Sequence, residues 1–141
     1  MQRFARVIGV AFLALLAHGC SDLPPAYQAS GIVVYSDGTP LQDGRIETRC
    51  TDSPYTARGS IGRDGKFQLT TFKTNDGAIA GTHQVLVIQR FTADVDMEEH
   101  AKHVSKIRSL DRKYSSYGTS ELEITIDPKG DNTNLRLEVA E

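Results

Sequence analysis

Tryptophan is absent from this 141-residue chain, and cysteine and methionine occur only twice each. Two cysteines exclude the disulfide framework that staples small exported domains, so a folded core must hold the chain together. Without Trp, and with five Tyr and five Phe scattered along the sequence, there is no obvious stacking platform for a glycan. No apolar run is long enough to span a bilayer. The eleven residues of 7–17 rise only about 16 Å as a helix, against a hydrocarbon core of roughly 30 Å. Basic residues are not in excess, with 16 Lys and Arg against 18 Asp and Glu, which argues against nucleic acid as a partner. No His-Glu-x-x-His helix motif occurs, and the glycines of residues 76–81 precede no helix start that would cradle a phosphate.

What is present divides the chain into three parts. Arg3 and Arg6 precede the apolar run, and Ala17-His18-Gly19 places small residues where a signal peptide is cut. Residues 1–19 are therefore expected to be a signal peptide. Leu16-Ala17-His18-Gly19-Cys20 resembles a bacterial lipobox, which implies diacylglycerol on Cys20 and an envelope location, facing periplasm or exterior. An unpaired exported thiol is otherwise a reactive liability. Residues 20–29, with Pro24-Pro25, read as a lipidated cysteine and extended tether. Removing Arg3 and Arg6 takes the basic count from 16 to 14 against 18 acidic residues, a net charge of −4.

Residues 30–141 form the domain, and 39% hydrophobic content suits one core. The pattern is short strands between turn signals, with Asp-Gly at positions 37, 43, 64 and 76. Strands are expected at 31–35, from Asp43-Gly44 to Cys50, up to Ile61, at 66–71, 82–91 and 120–126, and across Leu135, Leu137 and Val139. Ile46, Thr48 and Cys50 alternate with Glu47 and Arg49, so the thiol is expected to face inward. Val85-Leu86-Val87-Ile88 reads as a central strand covered on both sides. Met97, Ala101, Val104, Ile107 and Leu110 make one helical stripe over 94–110, with acidic residues at its start and basic ones at its end. Residues 111–119 read as a polar loop. The expectation is an all-β, seven-stranded antiparallel Greek-key β-sandwich with one short helix between strands five and six.

Three stretches carry a family resemblance. They are Gly31-Ile32-Val33-Val34-Tyr35-Ser36-Asp37-Gly38-Thr39-Pro40-Leu41-Gln42-Asp43-Gly44, Gly62-Arg63-Asp64-Gly65-Lys66-Phe67-Gln68-Leu69-Thr70-Thr71, and Asp76-Gly77-Ala78-Ile79-Ala80-Gly81-Thr82-His83-Gln84-Val85-Leu86-Val87. With Lys113-Tyr114, Ser120-Glu121-Leu122 and Asn132, their order resembles carboxypeptidase regulatory-like domains, which share the transthyretin (prealbumin-like) sandwich. The chain looks like a small bacterial lipoprotein carrying one such domain. That resemblance implies a non-enzymatic structural or interaction module without a cofactor.

Other chemistry is weighed against that reading. His100 and His103, beside Glu98 and Glu99, share a helix face and are the candidate metal ligands of a metal-dependent enzyme, but spacing supplies no third ligand. Related sandwiches that bind ferric iron use two Tyr and two His; Tyr114, Tyr117, His100 and His103 supply the types without the His-x-His spacing. The related urate-pathway hydrolase ends in Tyr-Arg-Gly-Ser, whereas this chain ends Leu-Arg-Leu-Glu-Val-Ala-Glu. Cys50 and His83 are residue types for a nucleophile–base pair, but a buried thiol and a surface or edge histidine are the simpler expectation. A carbohydrate-binding module is a further alternative. The partners expected are the membrane, through the Cys20 lipid, and an envelope protein, with no nucleic acid.

Overall fold

The computed structural model describes residues 23–90 and 108–141. The architecture is all-β. Among the described residues nine strands form in chain order: β1 (Ala26–Tyr27), β2 (Ser30–Tyr35), β3 (Gly44–Cys50), β4 (Thr56–Ile61), β5 (Lys66–Gln68), β6 (Ala78–Ile79), β7 (Gly81–Gln89), β8 (Leu122–Ile126) and β9 (Leu135–Val139). Seven of them make one mixed, barrel-like sheet in the order β8-β7-β3-β4-β5-β2-β9. β1 and β6 make a separate two-stranded ribbon.

Alternation explains the central strands. Ile46, Thr48 and Cys50 of β3 are buried while Arg49 is exposed. Val85, Leu86 and Val87 of β7 are all buried, as their unbroken β-branched and aliphatic run requires. β3 lies between β4 and β7, antiparallel to both, with Ile46 opposite Gly59 and Val87. The expected hairpin joins β4 to β5. Gly65 adopts φ +77° there, Gly62 and Gly65 close the turn at 3.0 Å, and the Asp64 carboxylate accepts from the Lys66 N–H at 3.1 Å. Leu41, isolated in the sequence, is fully buried in the core beside Val33, Leu69 and Val139.

Four expectations need correction. The sheet is not wholly antiparallel: β9 runs parallel to β2, from Gly31↔Leu135 to Tyr35↔Val139. The two strands pass so closely that a Cβ on Gly31 would lie 2.0 Å from the Leu135 carbonyl oxygen. Residues 26–29, expected within the tether, belong to the fold: β1 pairs with β6 and the Ala29 carbonyl accepts from Leu69 N–H at 2.9 Å. The fourth strand ends at Gln68 and not at Thr71; beyond it Thr70 keeps an isolated antiparallel bridge with Arg58 before the chain enters the loop. Residues 111–119 are not an open loop. They hold a 3-10 turn (Arg112–Ser115) capped by Asp111 and a single helical turn, α1 (Tyr117–Ser120), capped by Ser116.

That capped segment packs on β7. Ser120 Oγ donates to the Val85 carbonyl at 2.5 Å, and Tyr114 is buried with its hydroxyl accepting from Ala140 N–H at 3.0 Å. The helix expected over 94–110 lies mostly outside the described residues. Its last three positions, Arg108, Ser109 and Leu110, are in irregular backbone.

Candidate functional site

β3 and β7 bring the chain's one described thiol and its one described imidazole together. Cys50 and His83 are register partners, and opposite residues of an antiparallel pair share a face. His83 is not the surface or edge residue expected; it is 1% exposed. It has the same parity as Val85 and Val87, so the alternation of β7 carried the signal. Its Nε2 lies 2.9 Å from the Ile79 carbonyl oxygen. A carbonyl only accepts, so Nε2 carries the proton. Nδ1 lies 3.1 Å from the Thr48 hydroxyl and accepts from it in the neutral ring that burial favours. Burial pushes the His83 pKa below its ordinary value, outweighing the Ile79 carbonyl, which acts to raise it.

This arrangement gives Cys50 no base. Both ring nitrogens are committed elsewhere, and the buried Sγ sits 3.4 Å from where a Cβ on Gly81 would stand. The pair forms a polar seam in the core, which a satisfied buried histidine can do without cost to packing.

On the opposite, outward face of β3, α1 presents Tyr117. Its hydroxyl donates to Glu47 at 3.1 Å, Arg58 Nε reaches the same carboxylate at 2.9 Å, and the Arg49 guanidinium lies 4.5 Å over the Tyr117 ring. Burial raises the Tyr117 pKa to about 12, and the adjacent Glu47 charge adds to the rise. Arg63 pairs with Asp43 at 3.8 Å and Lys66 with Asp64 at 3.6 Å. The charged hairpin is therefore a solvated edge with local partners, each pair contributing about 0–1 kcal/mol.

The 70–77 loop uses its own carboxylate as its anion. Asp76 accepts from the backbone N–H of Thr71, Phe72 and Lys73 at 2.7, 2.9 and 2.8 Å. Burial acts to raise its pKa, but these donors outweigh it and hold the carboxyl below the usual range. The donors that would cradle a phosphate are occupied from within.

Of the residues singled out in the sequence, Cys20, His100 and His103 lie outside the described residues. Tyr114 and Tyr117 each have their hydroxyl bonded to protein. Among the described residues, no three His, Cys, Asp or Glu side chains gather to hold a metal. No helix among them is long and apolar enough to cross a membrane. Comparison with protein-family models, curated proteins and solved structures returned no match.

Proposed function

We propose that this chain is an exported lipoprotein, anchored through a diacylglyceryl group on Cys20, whose domain serves the cell envelope as a non-catalytic structural or interaction module. One observation carries the reading: the signal-like segment ends at Cys20, and strand pairing begins at Ala26. Six residues reach at most about 20 Å even when extended. Pro24-Pro25 favours that extension. A lipid on Cys20 would hold the domain close against the membrane, facing the periplasm or exterior. The commitment of both His83 nitrogens inside the fold supports a structural role for the Cys50–His83 seam.

We also read the seven strands as a two-layer Greek-key sandwich of the carboxypeptidase regulatory-like, transthyretin type. In support, the β4–β5 ladder is interrupted: it has the single register pair Ile61↔Phe67, and beyond Gln68 only the isolated bridge of Arg58 to Thr70. The sheet has a narrow joint there, with β8-β7-β3-β4 on one side and β5-β2-β9 on the other. Val33 and Leu137 from one side and Ile46 and Val85 from the other belong to one buried cluster.

The test is fractionation. The native chain should stay with membranes through a high-salt wash and need detergent for release, because two acyl chains give stable anchoring. Cys20→Ala should move to the soluble fraction. A Cys20→Ala chain that remains in the washed membrane pellet would sink the lipid-anchor reading.

A further inference from the structure

We propose that the outward face of β3, β4 and β5 carries a binding site for an oxyanion borne on a hydroxyl-rich body, a uronate or a sugar phosphate, with Arg45 as its anchor. A groove of about 380 Å³ opens there, within the range of small-ligand sites. Arg45, Arg58, Ser60, Gln68, Thr70 and Asn75 line it. It holds two guanidinium groups and no carboxylate among the described residues.

Arg45 has the stronger claim. It stands between Ser60 on β4 and Ile88 on β7. Its Nε is the one buried side-chain nitrogen or oxygen among the described residues that has no hydrogen-bond partner. That atom is closed to solvent, so a ligand in the groove would meet this guanidinium through its Nη atoms, and the unpaired Nε shows that no protein acceptor holds the arginine from that side. The next carboxylate along the same face, Glu47, is already engaged by Arg58 and Tyr117. An arginine that merely runs its stem along Ile88 accounts for a buried Nε. It does not account for a concavity around that arginine that lacks acid and is rimmed by four hydroxyl and amide side chains.

Those four side chains define the rest of the ligand. A bare oxyanion only accepts hydrogen bonds, and the Arg45 fork suffices for it, Arg58 being already paired through Nε with Glu47. Ser60, Gln68, Thr70 and Asn75 both donate and accept, which matches sugar hydroxyls. Asn75 is held at the rim in the left-handed region, φ +61°, by its own N–H bonding to Thr70 Oγ1 at 2.9 Å. Among the described residues no aromatic ring lines the groove, so affinity rests on charge and hydrogen bonding and weakens with salt.

The experiment is isothermal titration of the full chain, purified in neutral detergent, with glucuronate, glucose 6-phosphate, glucose and inorganic phosphate. At least one of the two anionic sugars should bind about tenfold or more tighter than glucose and than inorganic phosphate. The tighter of the two identifies carboxylate or phosphate as the group read. Arg45→Gln should weaken that binding by about tenfold, and Gln68→Ala, on the exposed rim, by about threefold. Equal binding of glucose, phosphate as tight as the sugar anions, no binding of either anion, or wild-type affinity in both variants overturns the site. Gln68→Ala keeps the test decisive if Arg45→Gln fails to fold. The site does not depend on the lipid anchor, and a Cys20→Ala chain should bind as the native chain does, so the two readings fail separately.

Discussion

Thr48 and His83 face each other across β3 and β7 at 3.1 Å, hydroxyl oxygen to Nδ1, and both are buried. The other ring nitrogen holds the Ile79 carbonyl, and Ile79 is the register partner of Ala26. A single neutral imidazole therefore links the central sheet to β6, and β6 holds the incoming N-terminal strand.

That link should be sensitive to mild acid. An unfolded histidine titrates near 6.5, and burial depresses the folded value. Between the two values the unfolded chain binds more protons, so stability is complete above about pH 6.5 and falls as pH drops towards the folded pKa. Denaturant titrations at pH 7.5 and 5.5 should show a loss for the native chain. His83→Ala should cost about 2–4 kcal/mol at pH 7.5 by opening a cavity and stranding two partners, and should flatten the difference between the two pH values. A pH dependence unchanged in the variant would assign it to another group.

Asp76 gives a second pH signature, lower on the scale. Its folded pKa is depressed by the three loop N–H groups, which prevail over burial. Its contribution is thus present above the unfolded carboxylate value, about 3.9, and is lost as pH falls through the folded pKa. Asp76→Ala should destabilise by about 1–3 kcal/mol at neutral pH, because it leaves those donors unpaired. Acid titration followed by circular dichroism should show a shallower loss below pH 4 in the variant than in the native chain.

Gly77 tests the docking of β1. It adopts φ +92°, and a Cβ there would lie 1.7 Å from the Tyr27 carbonyl oxygen. Gly77→Ala should cost at least about 2 kcal/mol, from backbone strain and the displaced strand together. Amide hydrogen exchange should speed up first at Ala26, Tyr27, Ala78 and Ile79. Unchanged protection at those four amides would show that β1 is held by something other than this close approach.

Much of the sheet was legible because alternation is a local signal. Ile46, Thr48 and Cys50 face inward as their spacing indicates, and Asp64-Gly65 turns where its chemistry demands. The same parity reaches His83, yet a histidine suggests a surface position until its hydrogen-bond partners are known. Those partners, Thr48 and Ile79, are contributed by other strands. The β1–β6 ribbon was not legible, since two residues per strand carry no period. Arg45 reads as one more charge on a solvated strand face. Only its neighbours, Ser60 and Ile88, show that its Nε is enclosed.

By itself the sequence determined the class of the domain and the edges of most strands, because period-two burial and glycine-bearing turns act over a few residues. It also placed Cys50 inside. Tertiary structure alone decided the rest. The parallel pairing of β9 with β2 joins residues about a hundred positions apart, through a close approach that only Gly31 permits. The neutral state of His83, the Tyr117–Glu47–Arg58 cluster and the acid-free groove at Arg45 each depend on groups brought together from different strands and loops. Their chemistry is a property of those distances, and no local pattern encodes them.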